Sequence, residues 1–361
     1  MSTERRLPPG KLPADRLART VLGQLARRRE EVVVRPAPGE DAAVIRFGDE
    51  FVVVSSDPIT GATTDLGWLG VHVCCNDLGA MGAEPVALQV VLLLPEGTTE
   101  EWLRQLISRL DAAAATIGVE ISGGHTEVTE RVREPVFIGT ALGKVGPAGR
   151  LVTSAGAQAG DQLVVTKGIG LEGTAILAVE AREELERRLG APAPGEAATG
   201  GAGDWQSEAA GYWQEISVVK DGLVAAGAGA TALHDITEGG LYVAVRELAA
   251  ASHLAFRVYA ERLPVRPATR IITSALGLDP LGLVSSGALL IAHPAPHRLV
   301  AELRAAGIEA TVIGDLLAPE EEGLAAGQGL LIDEEGIARP WPVREEDELW
   351  RYWARQKQRE Q

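Results

Sequence analysis

Cys74-Cys75-Asn76-Asp77-Leu78-Gly79-Ala80-Met81-Gly82-Ala83-Glu84-Pro85 is a small-residue segment with one acidic side chain inside it. Its neighbours Val71, Val73, Cys74, Leu78, Ala80 and Met81 are types that get buried, and the spacing predicts a helix over Leu66–Met81. A lone carboxylate in such a helix is costly to desolvate unless something pairs with it. The cheapest partner is a cation, either Lys/Arg or a metal ion. Asp77 is therefore a candidate for chemistry.

Three other segments point the same way. Gly39-Glu40-Asp41-Ala42-Ala43-Val44 places two acids before a strand, although an acidic turn would read the same. Ser55-Ser56-Asp57-Pro58 ends a strand with hydroxyls and a carboxylate. Ser122-Gly123-Gly124-His125-Thr126-Glu127 offers a flexible loop with an imidazole, a hydroxyl and a carboxylate. With Asp77 these supply oxygen ligands, which suit Mg²⁺ bridging phosphates better than zinc.

The chain of 361 residues is long enough for two domains, and 46% apolar with 23% charged residues describes a core-forming globular protein. A net charge of −16 argues against nucleic acid and anionic membranes as partners. An anionic ligand such as ATP would need local neutralisation by metal or backbone N–H groups. The N-terminal stretch is charged without an apolar signal core, and the run Val86–Leu94 is too short to span a bilayer. Cys74 and Cys75 are the only cysteines. Adjacent cysteines rarely form an unstrained disulfide, so reduced, buried thiols in a cytoplasmic protein are expected, and two adjacent thiols do not make a zinc site.

Along the chain, a Pro-rich start (Met1–Asp15) precedes a predicted helix over Arg16–Arg29 and short strands at Glu31–Arg35, Ala42–Phe47 and Phe51–Ser55. A strand over Ala87–Leu94, a helix over Thr99–Ile117 and a strand over Val136–Val145 complete a first unit, residues 1–154. A second unit, 155–340, has strands at Asp161–Lys167, Ala232–Ile236, Ala288–Ile291 and Ala310–Ile313, and helices at Thr174–Arg188, Trp213–Ala226 and Leu241–Ala250. It is interrupted by an Ala/Gly/Pro loop at 191–204, and a helical tail occupies 341–361. The irregular alternation predicts two mixed α/β domains.

Two motifs in the second unit stay open. Gly168-Ile169-Gly170-Leu171-Glu172-Gly173 fits a dinucleotide fingerprint between strand and helix, but reads equally as a tight turn. His234-Asp235-Ile236-Thr237-Glu238-Gly239-Gly240-Leu241 runs from strand into helix. The N–H groups of Gly239 and Gly240 could hold an anion there, or simply begin a capped helix.

Taken in order, these segments resemble the AIR synthase superfamily, which includes aminoimidazole ribonucleotide synthase, selenophosphate synthetase, thiamine-monophosphate kinase and the hydrogenase maturation factor HypE. The resemblance runs from about Gly39 to Gly314; Asp235–Gly240, Asp279–Gly287 and Thr166–Gly170 look like the HypE branch. It implies a two-domain α/β fold of mixed α+β character. The N-terminal domain would dimerise through its strands and the C-terminal domain would be ferredoxin-like. It implies ATP in a cleft partly completed by a second subunit. Asp41, Asp57 and Asp77 match Mg²⁺ ligands; Asn76, Gly123, Gly124 and Thr126 match nucleotide contacts; Lys11 resembles a residue of the segment covering the phosphates. Asp235, Gly239 and Gly240 match the part of the second domain facing cofactor and substrate, and His125 or Glu127 is placed as general base.

The chain departs from that pattern in three places: His125 replaces an acidic residue, Glu238 stands where HypE-type sequences usually carry Arg, and no cysteine follows Cys75. The expectation is Mg²⁺-dependent phosphoryl transfer from ATP to an oxygen of an amide, carboxylate or phosphate. The alternatives are a non-catalytic nucleotide-binding assembly protein on the same fold and a Rossmann-type oxidoreductase built on Gly168–Gly173.

Overall fold

Alternation of burial sets the first sheet. In the strand Val136–Val145 the residues Phe137, Gly139, Ala141 and Gly143 turn inward while Val136, Ile138, Thr140 and Leu142 stay half-buried. The computed structural model describes residues 7, 11–12, 14–59, 65–145, 149–189, 205–320, 323–344 and 346–359. The expected loop at 191–204 and most of the Pro-rich start lie outside the described residues.

The first sheet contains β1 (Val32–Val34), β2 (Ala43–Phe47), β3 (Glu50–Ile59), β4 (Ala83–Leu94), β5 (Glu120–Val128) and β6 (Val136–Val145), in the order β1-β2-β3-β6-β4-β5. Only the β4–β5 pair is parallel. After α1 (Ala14–Thr20) come α2 (Leu66–Ala80), which packs on β3, β4 and β6, and α3 (Glu100–Ile117), which lies beside it and reaches β5. Thr99 caps α3 by accepting the Trp102 N–H, and Gly118 closes it in the left-handed conformation.

The second sheet contains β7 (Gln162–Thr166), β8 (Ala232–Asp235), β9 (Ala255–Tyr259), β10 (Leu289–His293), β11 (Ala310–Leu317), β12 (Gly329–Ile332) and β13 (Ala338–Pro340), in the order β13-β12-β9-β11-β7-β10-β8. Strands β7, β8 and β10 are covered on both faces, so they are buried along their length rather than alternating. Leu163, Val165 and Leu290 enter one core while Val164, Leu289 and Ile291 enter another. The helices of this half are α4 (Leu171–Glu180), α5 (Arg182–Leu189), α6 (Trp205–Gly211), α7 (Val219–Ala228), α8 (Gly240–Ala251), α9 (Pro267–Leu276) and α10 (Pro296–Ala305), with α11 (Glu348–Arg359) following. The expected two-domain mixed architecture is present.

Four local expectations change. The helix expected over Arg16–Arg29 stops at Thr20, with a single 3-10 turn at Leu22–Gln24. Val21 and Leu25 are exposed, so no packed face sustains it. Thr174–Arg188 divides at Ala181 into α4 and α5. Trp213–Ala226 begins as a 3-10 turn before α7. The Gly123-Gly124 loop is instead the middle of edge strand β5.

The two halves meet where α2 crosses α7. The contact needs glycine on both sides: a Cβ on Gly222 would stand 1.8 Å from the Gly79 carbonyl oxygen, and one on Gly79 would stand 2.8 Å from the Val219 Cα. Asn76 fastens the crossing. Its amide donates to the Ile216 carbonyl at 2.8 Å and accepts the Val218 N–H at 2.8 Å. From the other side Lys167 donates to the carbonyls of Ser217 (2.6 Å) and Glu215 (3.1 Å) and pairs with buried Asp221 at 3.1 Å.

Gly222→Ala should therefore destabilise the protein by on the order of 1–3 kcal/mol through overpacking. Gly211→Ala, where an added methyl meets nothing within 4 Å, should be near neutral. Urea unfolding of both variants checks this, and equal midpoints would contradict the close crossing.

Candidate functional site

Asp41 lies two residues before the start of β2, Asp57 lies near the end of β3, Asp77 lies in the last turn of α2, and Asp235 ends β8. The fold brings these four carboxylates together at the junction of the two sheets. Asp57 and Asp77 share a side-chain hydrogen bond, which two ionised carboxylates cannot make without a proton. Burial first, then the charges of Asp57, Asp235 and Asp41, push Asp77 well above the usual carboxylate range. Burial and Asp41 likewise push Asp235 up to about 7, and burial with Asp41 pushes Glu40 up to about 7. The Ser55 hydroxyl bonds the Asp77 carboxylate and lies 3.2 Å from the Asp41 carbonyl oxygen.

Cations already face part of this cluster. His234, 5% exposed, sets Nδ1 2.7 Å from Asp41 Oδ1 and Nε2 3.2 Å from Glu247 Oε2. Burial alone would lower the imidazole's pKa, but Asp41 and Glu247 outweigh it and hold it well above the ordinary value. Lys11 lies near the same group: burial lowers its pKa, yet Glu247, Asp235, Asp41 and Asp77 together raise it.

At and beside the cluster, four carboxylate oxygens are buried without a hydrogen-bond partner: Glu40 Oε2, Asp41 Oδ2, Asp57 Oδ2 and Asp235 Oδ2. Orphaned buried acceptors of one sign are what a divalent cation satisfies, so these residues fit an oxygen-ligated metal ion.

Family models cover most of the described chain: AIR synthase related protein, N-terminal domain, over residues 39–145, and AIR synthase related protein, C-terminal domain, over residues 158–327. The chain belongs to the AIR synthase related family. The carbamoyl dehydratase HypE of Rhizobium leguminosarum bv. viciae is 31% identical over 71% of this chain and 69% of its own. The crystal structure of Escherichia coli HypE, a hydrogenase maturation protein, superposes with a TM-score of 0.68 at 25% identity, covering 83% of this chain and 88% of that one. A hydrogenase maturation protein HypE in complex with ATP shares the fold at 22% identity, with a TM-score of 0.64, covering 95% and 98%.

The AIR synthase fold brings Asp41, Asp57, Asp77 and Asp235 into one cluster and leaves other expected site residues elsewhere. Asn76 is fully buried, and both ends of its amide bond the backbone at 216–218, so it clamps the domains. Gly239 and Gly240 are not free anion donors. Gly239 N–H goes to Asp347 Oδ2 at 2.7 Å and Gly240 N–H to the Thr237 carbonyl at 3.0 Å. The chain's own carboxylate has filled the anion position.

Gly123, Gly124, His125, Thr126 and Glu127 all lie exposed on β5. Glycine is needed at 124 because a Cβ there would stand 1.7 Å from the Val90 carbonyl oxygen, with φ of +144°. His125 Nε2 lies 3.7 Å from Glu127 Oε2, and neither makes a hydrogen bond or ion pair with the carboxylate cluster among the described residues.

The Gly168–Gly173 turn is no dinucleotide site. The N–H groups of Gly168, Ile169, Gly170 and Gly173 go to Thr166 O, Pro264 O, Ser285 Oγ and Val284 O, leaving those glycine-turn donors occupied. The family match removes the Rossmann alternative as well. The residues missed at the cluster are His234 and Glu247, whereas Ser55 lies in a segment the sequence had singled out. His234 adjoins Asp235 in a quoted motif, whereas nothing in the sequence pairs Glu247 with it. Both cysteines are free and buried, as expected; burial lifts the Cys75 thiol to about 12.

The raised carboxyls give a signed pH dependence. With folded pKa values near 7 and unfolded values near 4, Asp235 and Glu40 favour the metal-free folded state at low pH, and that stability is lost as pH rises through 7. Asp235→Asn should therefore melt higher relative to the unmodified chain at pH 8 than at pH 5, and added Mg²⁺ should narrow the gap. Thermal melts at both pH values check the sign.

Proposed function

We propose that this chain is an ATP-dependent enzyme that transfers a phosphoryl group from ATP to the oxygen of an amide or carboxylate, with Mg²⁺ as its ion. The observation that carries the reading is the convergence of partnerless buried oxygens on Asp41, Asp57 and Asp235 beside the Asp57–Asp77 contact. When bound there, Mg²⁺ would neutralise phosphate charge, with Asp41, Asp57 and Asp77 as its holders. Ser55 orients the Asp77 carboxylate, and the ammonium of Lys11 is a phosphate contact near the cluster.

Phosphorylation turns the acceptor oxygen into a leaving group. An amide gives up one N–H proton as its oxygen is phosphorylated and the second as phosphate leaves, which completes a dehydration. The similarity to proteins named carbamoyl dehydratase supports an amide acceptor. Cys74 and Cys75 are fully buried, so neither thiol is placed to carry that acceptor.

The units 1–154 and 155–340, with the tail 341–361, are read as the functional domains. Sheet one supports a homodimer: β5 is an open edge strand, and β4 and β6 present the half-buried residues Val91, Leu93, Ile138 and Thr140. In that dimer His125 or Glu127 would act as general base across the subunit boundary. Two reduced thiols suit a cytoplasmic setting, and no helix among the described residues is long and apolar enough to cross a membrane.

Asp57→Asn should abolish Mg²⁺-dependent ATP turnover while leaving the circular dichroism spectrum unchanged; undiminished turnover would overturn the assignment. Calorimetry with a non-hydrolysable ATP analogue should give binding only with Mg²⁺. Binding without any turnover, with candidate amides present, would favour the non-catalytic assembly reading.

A further inference from the structure

The imidazole of His234 sits in an arrangement that an all-oxygen magnesium site does not need. One ligand atom from each of Asp41, His234 and Asp235 lies within 4.8 Å of the others. In an octahedral site with bonds of about 2.1 Å, neighbouring ligand atoms stand about 3 Å apart and opposite ones about 4 Å, so a small closure completes the set. Asp235 is 4% exposed, and its Oδ2 is buried without a partner, as is Asp41 Oδ2.

The ring is oriented by a carboxylate behind it. Nε2 lies 3.2 Å from Glu247 Oε2, which leaves Nδ1 on the Asp41 side, at 2.7 Å from Oδ1 and 3.5 Å from the Ser154 hydroxyl. Metal-bound histidines characteristically use one nitrogen for the ion and donate the other N–H to a carboxylate. One imidazole with two carboxylates is a mixed donor set; imidazole favours transition metals, and carboxylates accommodate Mn²⁺.

We propose that Asp41, His234 and Asp235 bind a Mn²⁺-class transition-metal ion through one nitrogen and two carboxylates, with Glu247 positioning the imidazole. Asp41 comes from the first domain and His234, Asp235 and Glu247 from the second, so the ion joins the two. This goes beyond the Mg²⁺–ATP reading in ligand and in metal preference, shares only Asp41 with the proposed Mg²⁺ holders, and requires no nucleotide.

The test is a Mn²⁺ titration of the full, metal-free chain without nucleotide, read by electron paramagnetic resonance, with pulsed detection of coupling to imidazole nitrogen. The unmodified chain should bind Mn²⁺ with nitrogen coupling and at least about tenfold more tightly than Mg²⁺ in competition. His234→Asn should lose the coupling and weaken Mn²⁺ by about tenfold or more, with Mg²⁺ changed far less. Glu247→Gln should keep the coupling and weaken Mn²⁺ about tenfold; it carries the test if His234→Asn does not fold. Bound Mn²⁺ without nitrogen coupling, unaltered affinity in these variants, or no Mn²⁺ binding would overturn the proposal. Such a result alongside intact Mg²⁺-dependent ATP binding would leave the proposed function standing. Nitrogen-coupled Mn²⁺ without ATP binding would do the reverse.

Discussion

Like charges crowded at the seam of two domains are the constraint on which this structure turns. Asp41, Asp57, Asp77 and Asp235 repel one another at close range, in surroundings that hydrate them poorly. Without metal, the assembly holds by protonation, by the Asp57–Asp77 contact and by His234 wedged between Asp41 and Glu247. Each of these devices is one that a divalent cation replaces. A fold built only for stability would fill such a seam with apolar side chains, because buried ionic groups are weak stabilisers.

The seam persists because interactions outside the carboxylate cluster fix it independently. Gly79 and Gly222 let α2 and α7 approach to backbone contact. Asn76 from one domain and Lys167 from the other hold the segment Glu215–Asp221 between them. The cluster can then be electrostatically unfavourable without opening, since strain at a functional site requires surroundings that over-determine it. Asp347 plays a comparable part at the second domain's strand-to-helix turn, accepting the Gly239 N–H and thereby tying the approach to α11 to the start of α8.

Much of this was legible beforehand. Asp77 stood out because an acid in an apolar small-residue helix demands a partner, and the segments holding Asp41, Asp57 and Asp235 were each singled out locally. Three of these readings share a basis. Gly123-Gly124 and Gly239-Gly240 read as ligand loops because glycine signals backbone freedom. In the structure, Gly124 of the first pair serves close approach to β4. In the second, Gly240 admits the backbone at Leu281 while the Gly239 N–H meets Asp347. Asn76 read as a nucleotide contact because a buried amide needs partners, and sequence cannot say whether a ligand or the chain's own backbone supplies them.

The sequence by itself determined the two-domain α/β character, the acidic segments and the family, since these rest on periodicity, local composition and motif order. Only the tertiary structure decided which polar groups find each other. His234 meets Asp41 across 193 positions of separation and Glu247 across 13. Asp347 reaches Gly239 across 108. The reason is physical: a hydrogen bond or ion pair between distant residues is specified by how helices and sheets pack, and no local pattern records it.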